Sequence, residues 1–62
     1  MYDLSNRENQ VFSLLIEGRK AKDISKELGI SVNTVKFFTK RIYKKLDVKS
    51  KSELIIRYLK RR

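Results

Sequence analysis

Residues 24–38, ISKELGISVNTVKFF, read as two helical segments joined at a glycine. Gly29 stands where the short turn between two crossing helices needs a residue without a side chain, and Ser25 is small enough for the crossing point. Apolar residues also occupy the positions that would pack the second helix onto the first: Ile24, Leu28, Ile30, Val35 and Phe38. Because several independent requirements agree, this stretch predicts a helix-turn-helix with helices over about 21–28 and 32–46.

The second of these helices has two different faces. Ser31 is a good N-cap, and the helix carries one apolar stripe, formed by Val35, Phe38, Ile42 and Leu46. At 100° per residue the opposite side, from roughly 100° to 240°, holds cations, an amide and an aromatic ring, namely Asn33, Lys36, Phe37, Lys40, Arg41 and Lys44. The two adjacent phenylalanines cannot point into the same core, so we assign Phe38 to the core. Phe37 stays open between contact with DNA and packing at an edge or subunit contact.

A capping pattern precedes this motif. Ser5 and Glu8 have the spacing of a capping box, which predicts a first helix over about 6–17 that buries Val11, Phe12 and Leu15. Gly18 would end it. We interpret Glu8 as a cap that can also pair with a nearby cation, and not as a catalytic acid.

A second capping pattern follows the motif. Ser50 and Glu53 predict a fourth helix over about 51–60, with the last three residues frayed. The expected fold is therefore all-α, a compact four-helix domain spanning 1–62 with a central helix-turn-helix. The apolar residues of the fourth helix spread over roughly 200° of arc, which is more than one buried side needs. This surplus favours a homodimer through Ile55, Ile56 and Leu59, although the whole helix could instead pack on its own core.

The composition excludes several classes of function. The 62 residues include no cysteine and no histidine, so a disulfide framework and the usual zinc sites are excluded. No nucleophile, acid/base pair or glycine-rich phosphate loop is recognisable, so we expect no enzyme, metal site, cofactor or small-molecule ligand. The longest apolar runs are far shorter than the roughly 20 residues of a membrane span, which favours a cytoplasmic protein.

The charge is concentrated in one half of the chain. Residues 1–30 contain five basic and five acidic residues, whereas 31–62 contain eleven basic and two acidic, and the net charge is +9. This asymmetry indicates a polyanionic partner such as duplex DNA, RNA or an anionic membrane. The chemistry of the outer helix face favours the DNA major groove. We expect base contacts from Asn33, Lys36, Phe37 and Lys40, and phosphate contacts from Ser31, Thr34, Arg41 and Lys44. A protein-interaction adaptor, nonspecific nucleic-acid binding and a merely solvated charged face are the alternatives.

Taken together, the motifs resemble the LuxR/FixJ/GerE-type DNA-binding domain. The resemblance rests on Leu4-Ser5-Asn6-Arg7-Glu8, Gly18, Lys22-Asp23-Ile24, Ser31-Val32-Asn33-Thr34-Val35-Lys36, Ile42, Lys45-Leu46 and Val48-Lys49-Ser50-Lys51. It implies a sequence-specific transcriptional regulator of the bacterial nucleoid, whose third helix reads base edges with Lys36, Phe37 and Lys40 and whose fourth helix forms a dimer. RNA polymerase is a further expected partner. Lys20-Ala21 departs from the family by lacking the usual capping hydroxyl, which should weaken the start of the second helix.

Overall fold

The computed structural model describes residues 4–59, with Leu59 described by its backbone alone. Within that range the chain forms four α-helices and no strand, as the sequence predicts. They are α1 (Asn6–Ile16), α2 (Ala21–Leu28), α3 (Val32–Leu46) and α4 (Lys51–Leu59). The predicted end of the fourth helix at Lys60 and the fraying of residues 60–62 lie outside the described residues. The all-α class and the four-helix order are confirmed.

The first helix begins at the predicted capping box. The Ser5 hydroxyl accepts the backbone N–H of Glu8 at 3.2 Å, and the Glu8 carboxylate accepts the backbone N–H of Ser5 at 2.9 Å. The helix ends at Ile16, one residue before the predicted end, because Glu17 is its C-cap and Gly18 takes a left-handed φ of 86°. The Gly18 N–H then donates to the Leu15 carbonyl at 2.9 Å, which closes the last turn.

The turn between α2 and α3 also follows the sequence prediction. Gly29 has φ 67° and ψ 36°, the left-handed conformation that a glycine adopts without a steric penalty. Ser25 is buried, and its hydroxyl donates to the Lys22 carbonyl at 2.7 Å, so the small residue at the crossing has its polar group satisfied. The Lys20 side chain makes no capping hydrogen bond to α2, as its departure from the family pattern predicts.

The longest helix, α3, is capped at both ends. The Ser31 hydroxyl accepts the Thr34 N–H at 3.1 Å, which confirms Ser31 as the N-cap. At the other end Asp47 takes a left-handed φ of 56°, and the buried Val48 that follows donates its N–H to the Tyr43 carbonyl at 3.0 Å. The sequence analysis predicted neither the left-handed conformation of Asp47 nor the buried position of Val48.

The start of α4 differs from the predicted capping box. The Ser50 hydroxyl accepts the Glu53 N–H at 3.2 Å, as expected, but the Glu53 carboxylate accepts the N–H of Lys49 at 2.9 Å and not that of Ser50. The prediction of a reciprocal box was therefore wrong in its second bond. Arg57, one helical turn further on, donates to the Leu46 carbonyl at 3.2 Å, so α4 also satisfies the end of α3.

The hydrophobic core lies where α1, α2 and α3 meet, with α4 packed on α1. Its buried members come from every helix and from the link before α4: Val11, Phe12, Leu15, Ile24, Val35, Ile42, Leu46, Val48 and Leu54. Leu28, Ile30 and Phe38 were predicted to be inward-facing, and they are half-buried and pack against this core. In residues 4–59 no helix combines the length and the apolar character that crossing a membrane requires.

Candidate nucleic-acid interface

The residues predicted to contact bases share the outer side of α3. Asn33, Lys36, Phe37 and Lys40 are all exposed, and Val35 and Ile42 on the opposite side of the helix are buried. Packing of the inner stripe therefore fixes which side of α3 is presented outward. Because α3 contains no aspartate or glutamate, no residue of the helix itself offsets the positive charges that this side carries from Lys36 onward.

Ser31 and Thr34, two of the four predicted phosphate contacts, lie together at the start of α3. Their hydroxyl oxygens are 2.8 Å apart, and the Ser31 hydroxyl also caps the helix. Unpaired backbone N–H groups and the positive end of the helix dipole make such a terminus favourable for an anion. A carboxylate in place of the Thr34 hydroxyl would repel a phosphate here.

Arg41 and Lys44, the other two predicted phosphate contacts, lie in different environments. Lys44 is exposed near the end of α3. The Nε of Arg41 donates to the Glu8 carboxylate at 2.8 Å, and its guanidinium carbon lies 5.6 Å from the centroid of the Phe37 ring. About half of the Arg41 side chain, 51%, is nevertheless exposed, so this residue links the interior of the domain to its cationic face.

The Glu8 carboxylate lies at the contact between α1 and α3. Glu8 is only 1% exposed, and besides the Ser5 N–H and Arg41 it accepts a hydrogen bond from the Lys45 Nζ at 2.8 Å. The bonds from Lys45, Arg41 and Ser5 outweigh the opposing effect of burial and lower the pKa of Glu8 from 4.5 to about 2. The sequence analysis anticipated a cation beside Glu8 but not which one, because the two partners are 33 and 37 residues away.

A groove of about 620 Å³ borders the outer side of α3. Its walls include the four predicted base-contact residues, and Arg19 before α2 and Lys51 at the start of α4 also line it. The Lys51 Nζ donates to the Arg19 carbonyl, and the Arg19 guanidinium pairs with Glu27 at 3.4 Å. The sequence analysis assigned no site role to Arg19 or Lys51, since no local pattern brings residues 32 positions apart together.

Tyr43 forms part of the inner wall of this groove. It is half-buried and packs against the core, and burial raises the pKa of its hydroxyl.

The apolar residues predicted for a dimer contact are unequally exposed. Leu54 is fully buried and Ile55 is half-buried, whereas Ile56 is 64% exposed. The side chain of Leu59 lies outside the described residues. Tyr58 is occupied within the domain, because its ring meets the Phe12 ring edge-on at 5.6 Å. Among the described side chains of α4, the apolar surplus is therefore concentrated at Ile56, with Ile55 beside it.

Residues 2–58 match the family described as bacterial regulatory proteins, luxR family (GerE). The chain is 37% identical over 57 residues to the spore germination protein GerE of Bacillus subtilis, an alignment that covers 92% of this chain and 77% of GerE. It is 39% identical over 54 residues to the transcriptional regulatory protein DesR of Bacillus subtilis, which covers 87% of this chain. It is 42% identical over 59 residues to the oxygen regulatory protein NreC of Staphylococcus haemolyticus, which covers 95% of this chain. The chain spans 27% of the length of both DesR and NreC.

Proposed function

Because the chain belongs to the LuxR family of bacterial regulatory proteins, we propose that it regulates transcription by binding specific duplex DNA sequences with α3 in the major groove. The resemblance inferred from the sequence motifs is thereby confirmed. The observation that carries the proposal is the outer side of α3, which is exposed, cationic and free of carboxylates, with the buried stripe directly opposite. The site of action is the nucleoid DNA of a bacterial cytoplasm.

Each predicted base-contact residue has chemistry that the major groove can use. Lys36 and Lys40 can donate to guanine O6 or N7, and Asn33 can pair with the N6 and N7 of adenine. Phe37 offers an apolar ring to the base edges. The four exposed side chains lie on one side of α3, so a single groove can receive them together.

Contacts to the phosphate backbone would set the register of α3 in the groove. Ser31 and Thr34 present hydroxyls at the helix N-terminus, and Lys44 presents an exposed ammonium near the other end. Arg41 contributes the terminal nitrogens of its guanidinium, since its Nε is held by Glu8. These contacts supply affinity without sequence information.

A homodimer through α4 completes the proposal. One small module buries only about 600–1,000 Å² on DNA, and a two-fold dimer gains a second half-site. The exposure of Ile56 beside Ile55 supports a contact between two copies of α4, and Leu59 belongs to the same predicted contact. Contact between the bound dimer and RNA polymerase stays a prediction.

The experiment that tests the proposal is selection of bound sequences from a random duplex library at about 0.15 M salt. Recovery of a two-fold or repeated motif supports specific dimeric recognition and supplies the operator. Recovery of random DNA alone contradicts specificity. Affinity for the selected operator should then fall with salt at a slope of about −0.9 for each phosphate neutralised, which an adaptor that binds an acidic protein would not show.

A matched pair of variants assigns the binding to α3. Lys36→Ala removes one charge from the proposed interface, whereas Lys26→Ala removes the same charge from an exposed position on α2 that does not line the groove. We expect the first variant to weaken operator binding and the second to bind like the unmodified chain. Equal losses would show that overall charge, and not α3, carries the affinity.

A further inference from the structure

Phe37 is an apolar residue on an otherwise polar surface. Its ring is 56% exposed, and along α3 its outward neighbours are Asn33, Lys36 and Lys40. Two copies of this side of α3 would bring like charges together, so a contact between copies through Phe37 is disfavoured. Any partner that covers the ring must therefore tolerate cations around a small apolar contact.

The ring also contacts two other side chains of α3. Phe38 meets it edge-on, with ring centroids 5.6 Å apart and an interplanar angle of 66°. The Arg41 guanidinium carbon lies 5.6 Å from the centroid of the same ring, within cation–π distance.

The guanidinium is in turn anchored in the interior of the domain. Arg41 Nε donates to Oε2 of Glu8 at 2.8 Å, and Glu8 is fixed by the Ser5 N–H and by Lys45. A buried carboxylate on α1 thus fixes an exposed ring on α3 through one arginine. A ring held in this way loses little rotamer freedom when it binds.

We propose that Phe37 is a specificity-determining residue that reads the C5-methyl group of a thymine, with Arg41 and Glu8 as its positioning residues. A phenyl ring offers no hydrogen-bond donor or acceptor, and in the major groove thymine is the base that presents a methyl group. The cations around the ring suit the same partner, because phosphates flank every base. This inference rests on the proposed function, and it adds the chemistry that one side chain recognises.

The test uses the operator recovered by selection, with each thymine of a half-site replaced in turn by deoxyuridine. That replacement removes the methyl group and leaves base pairing intact. We expect one position at which binding weakens by about four-fold, the effect of one buried methyl group. Phe37→Ala should bind the thymine and deoxyuridine duplexes equally, with its melting temperature used to check that the domain is folded. Lys40→Ala, the matched control, should bind more weakly but keep the four-fold difference.

A second variant tests the positioning role. Arg41→Lys keeps the charge but loses the planar group that lies over the ring and the Nε that Glu8 holds. We expect the thymine to deoxyuridine ratio to fall towards one, with the salt slope unchanged. If Arg41→Lys leaves the thymine to deoxyuridine ratio unchanged, the contact between Arg41 and the Phe37 ring does not explain the methyl preference.

The outcomes separate this inference from the proposed function. Specific operator binding that no deoxyuridine replacement weakens would overturn the thymine assignment and leave DNA recognition standing. A methyl effect that persists in Phe37→Ala would assign the methyl contact to another residue and overturn the inference as well. Failure to select any motif would instead count against the proposed function.

Discussion

The helices α3 and α4 are both held on the core by one buried side, but their outer sides differ. On α3 the outer side is cationic, whereas on α4 the exposed Ile56 lies beside the half-buried Ile55. The two helices are comparable in their inner packing, since Ile42 of α3 and Leu54 of α4 are both fully buried.

This difference indicates which kind of partner can cover each outer side. Desolvating the lysines of α3 against an apolar surface would be costly, and phosphates offer them charge-assisted hydrogen bonds. Desolvating Ile56 is favourable, at roughly 25 cal/mol for each Å² buried, so α4 suits an apolar partner. The inner sides should therefore control stability, while the outer sides should control two separable kinds of association.

The largest effect is expected from the inner sides. Ile42→Ala or Leu54→Ala should each destabilise the domain by about 2–5 kcal/mol, because a fully buried aliphatic side chain leaves a cavity. A core in a domain of this size rarely supplies more than about 3–5 kcal/mol, so either variant should be largely unfolded near 37 °C. Thermal unfolding followed by circular dichroism measures this. Ile56→Ala is the control and should change stability by less than about 0.5 kcal/mol; equal losses would contradict the division into inner and outer sides.

The next largest effect is expected on the outer side of α4. Ile56→Asp should leave the fold intact but abolish the dimer, as should the same change at Ile55 or Leu59. Loss of the second half-site should weaken operator binding by roughly 100-fold, the scale of avidity between linked sites, while binding to a single half-site is kept. Sedimentation equilibrium and binding to one-site and two-site duplexes measure the two parts.

Ser52→Asp is the control for that experiment, since it adds the same charge to an exposed position of α4. It should behave like the unmodified chain. Dimers that persist in Ile56→Asp would remove α4 from the contact.

A smaller effect is expected on the outer side of α3. Lys36→Ala should cost roughly 1–3 kcal/mol of binding free energy and relax the base preference at one operator position. Lys44→Ala should weaken all sequences evenly and make the salt slope shallower by about one. Binding titrations on the operator, on single-base variants and on random duplex measure both. If the two variants give the same profile, the division between base and phosphate contacts is wrong.

The local features of the fold were predictable because they depend on residues a few positions apart. Ser5 and Ser31 cap helices where hydroxyls precede apolar repeats, and Gly29 takes the left-handed turn that ends α2. The third helix was predicted with the bounds that the structure has, since one long stripe fixes its inner side.

The features that were missed depend on distant residues or on unusual local choices. Asp47 takes the left-handed position where a glycine is the usual signal, so the residue type did not reveal it. The Phe37 ring beside Arg41 is a local pair, but what holds it is Glu8, which is 33 residues from Arg41. Exposure of the candidate site could thus be predicted from periodicity, whereas its positioning required the packing of α1 on α3.

The smallest effect is expected from pH near neutrality. The pKa of Glu8 falls from 4.5 to about 2 in the folded domain, so the folded carboxylate keeps its charge to lower pH than the unfolded one does. Its contribution to stability is therefore complete above about pH 5 and is lost as the pH falls towards 2. The chain has no histidine, so we expect a melting temperature constant within about 2 °C between about pH 5.5 and 7, and a decline below about pH 4.5.

Glu8→Gln should make that decline shallower. The control is Glu53→Gln, which alters the half-exposed carboxylate that pairs with Arg57 on α4. In this variant the decline in melting temperature should be as steep as in the unmodified chain. An equally steep decline in Glu8→Gln would show that other carboxyl groups control acid unfolding, and that the anchor between α1 and α3 does not depend on this charge.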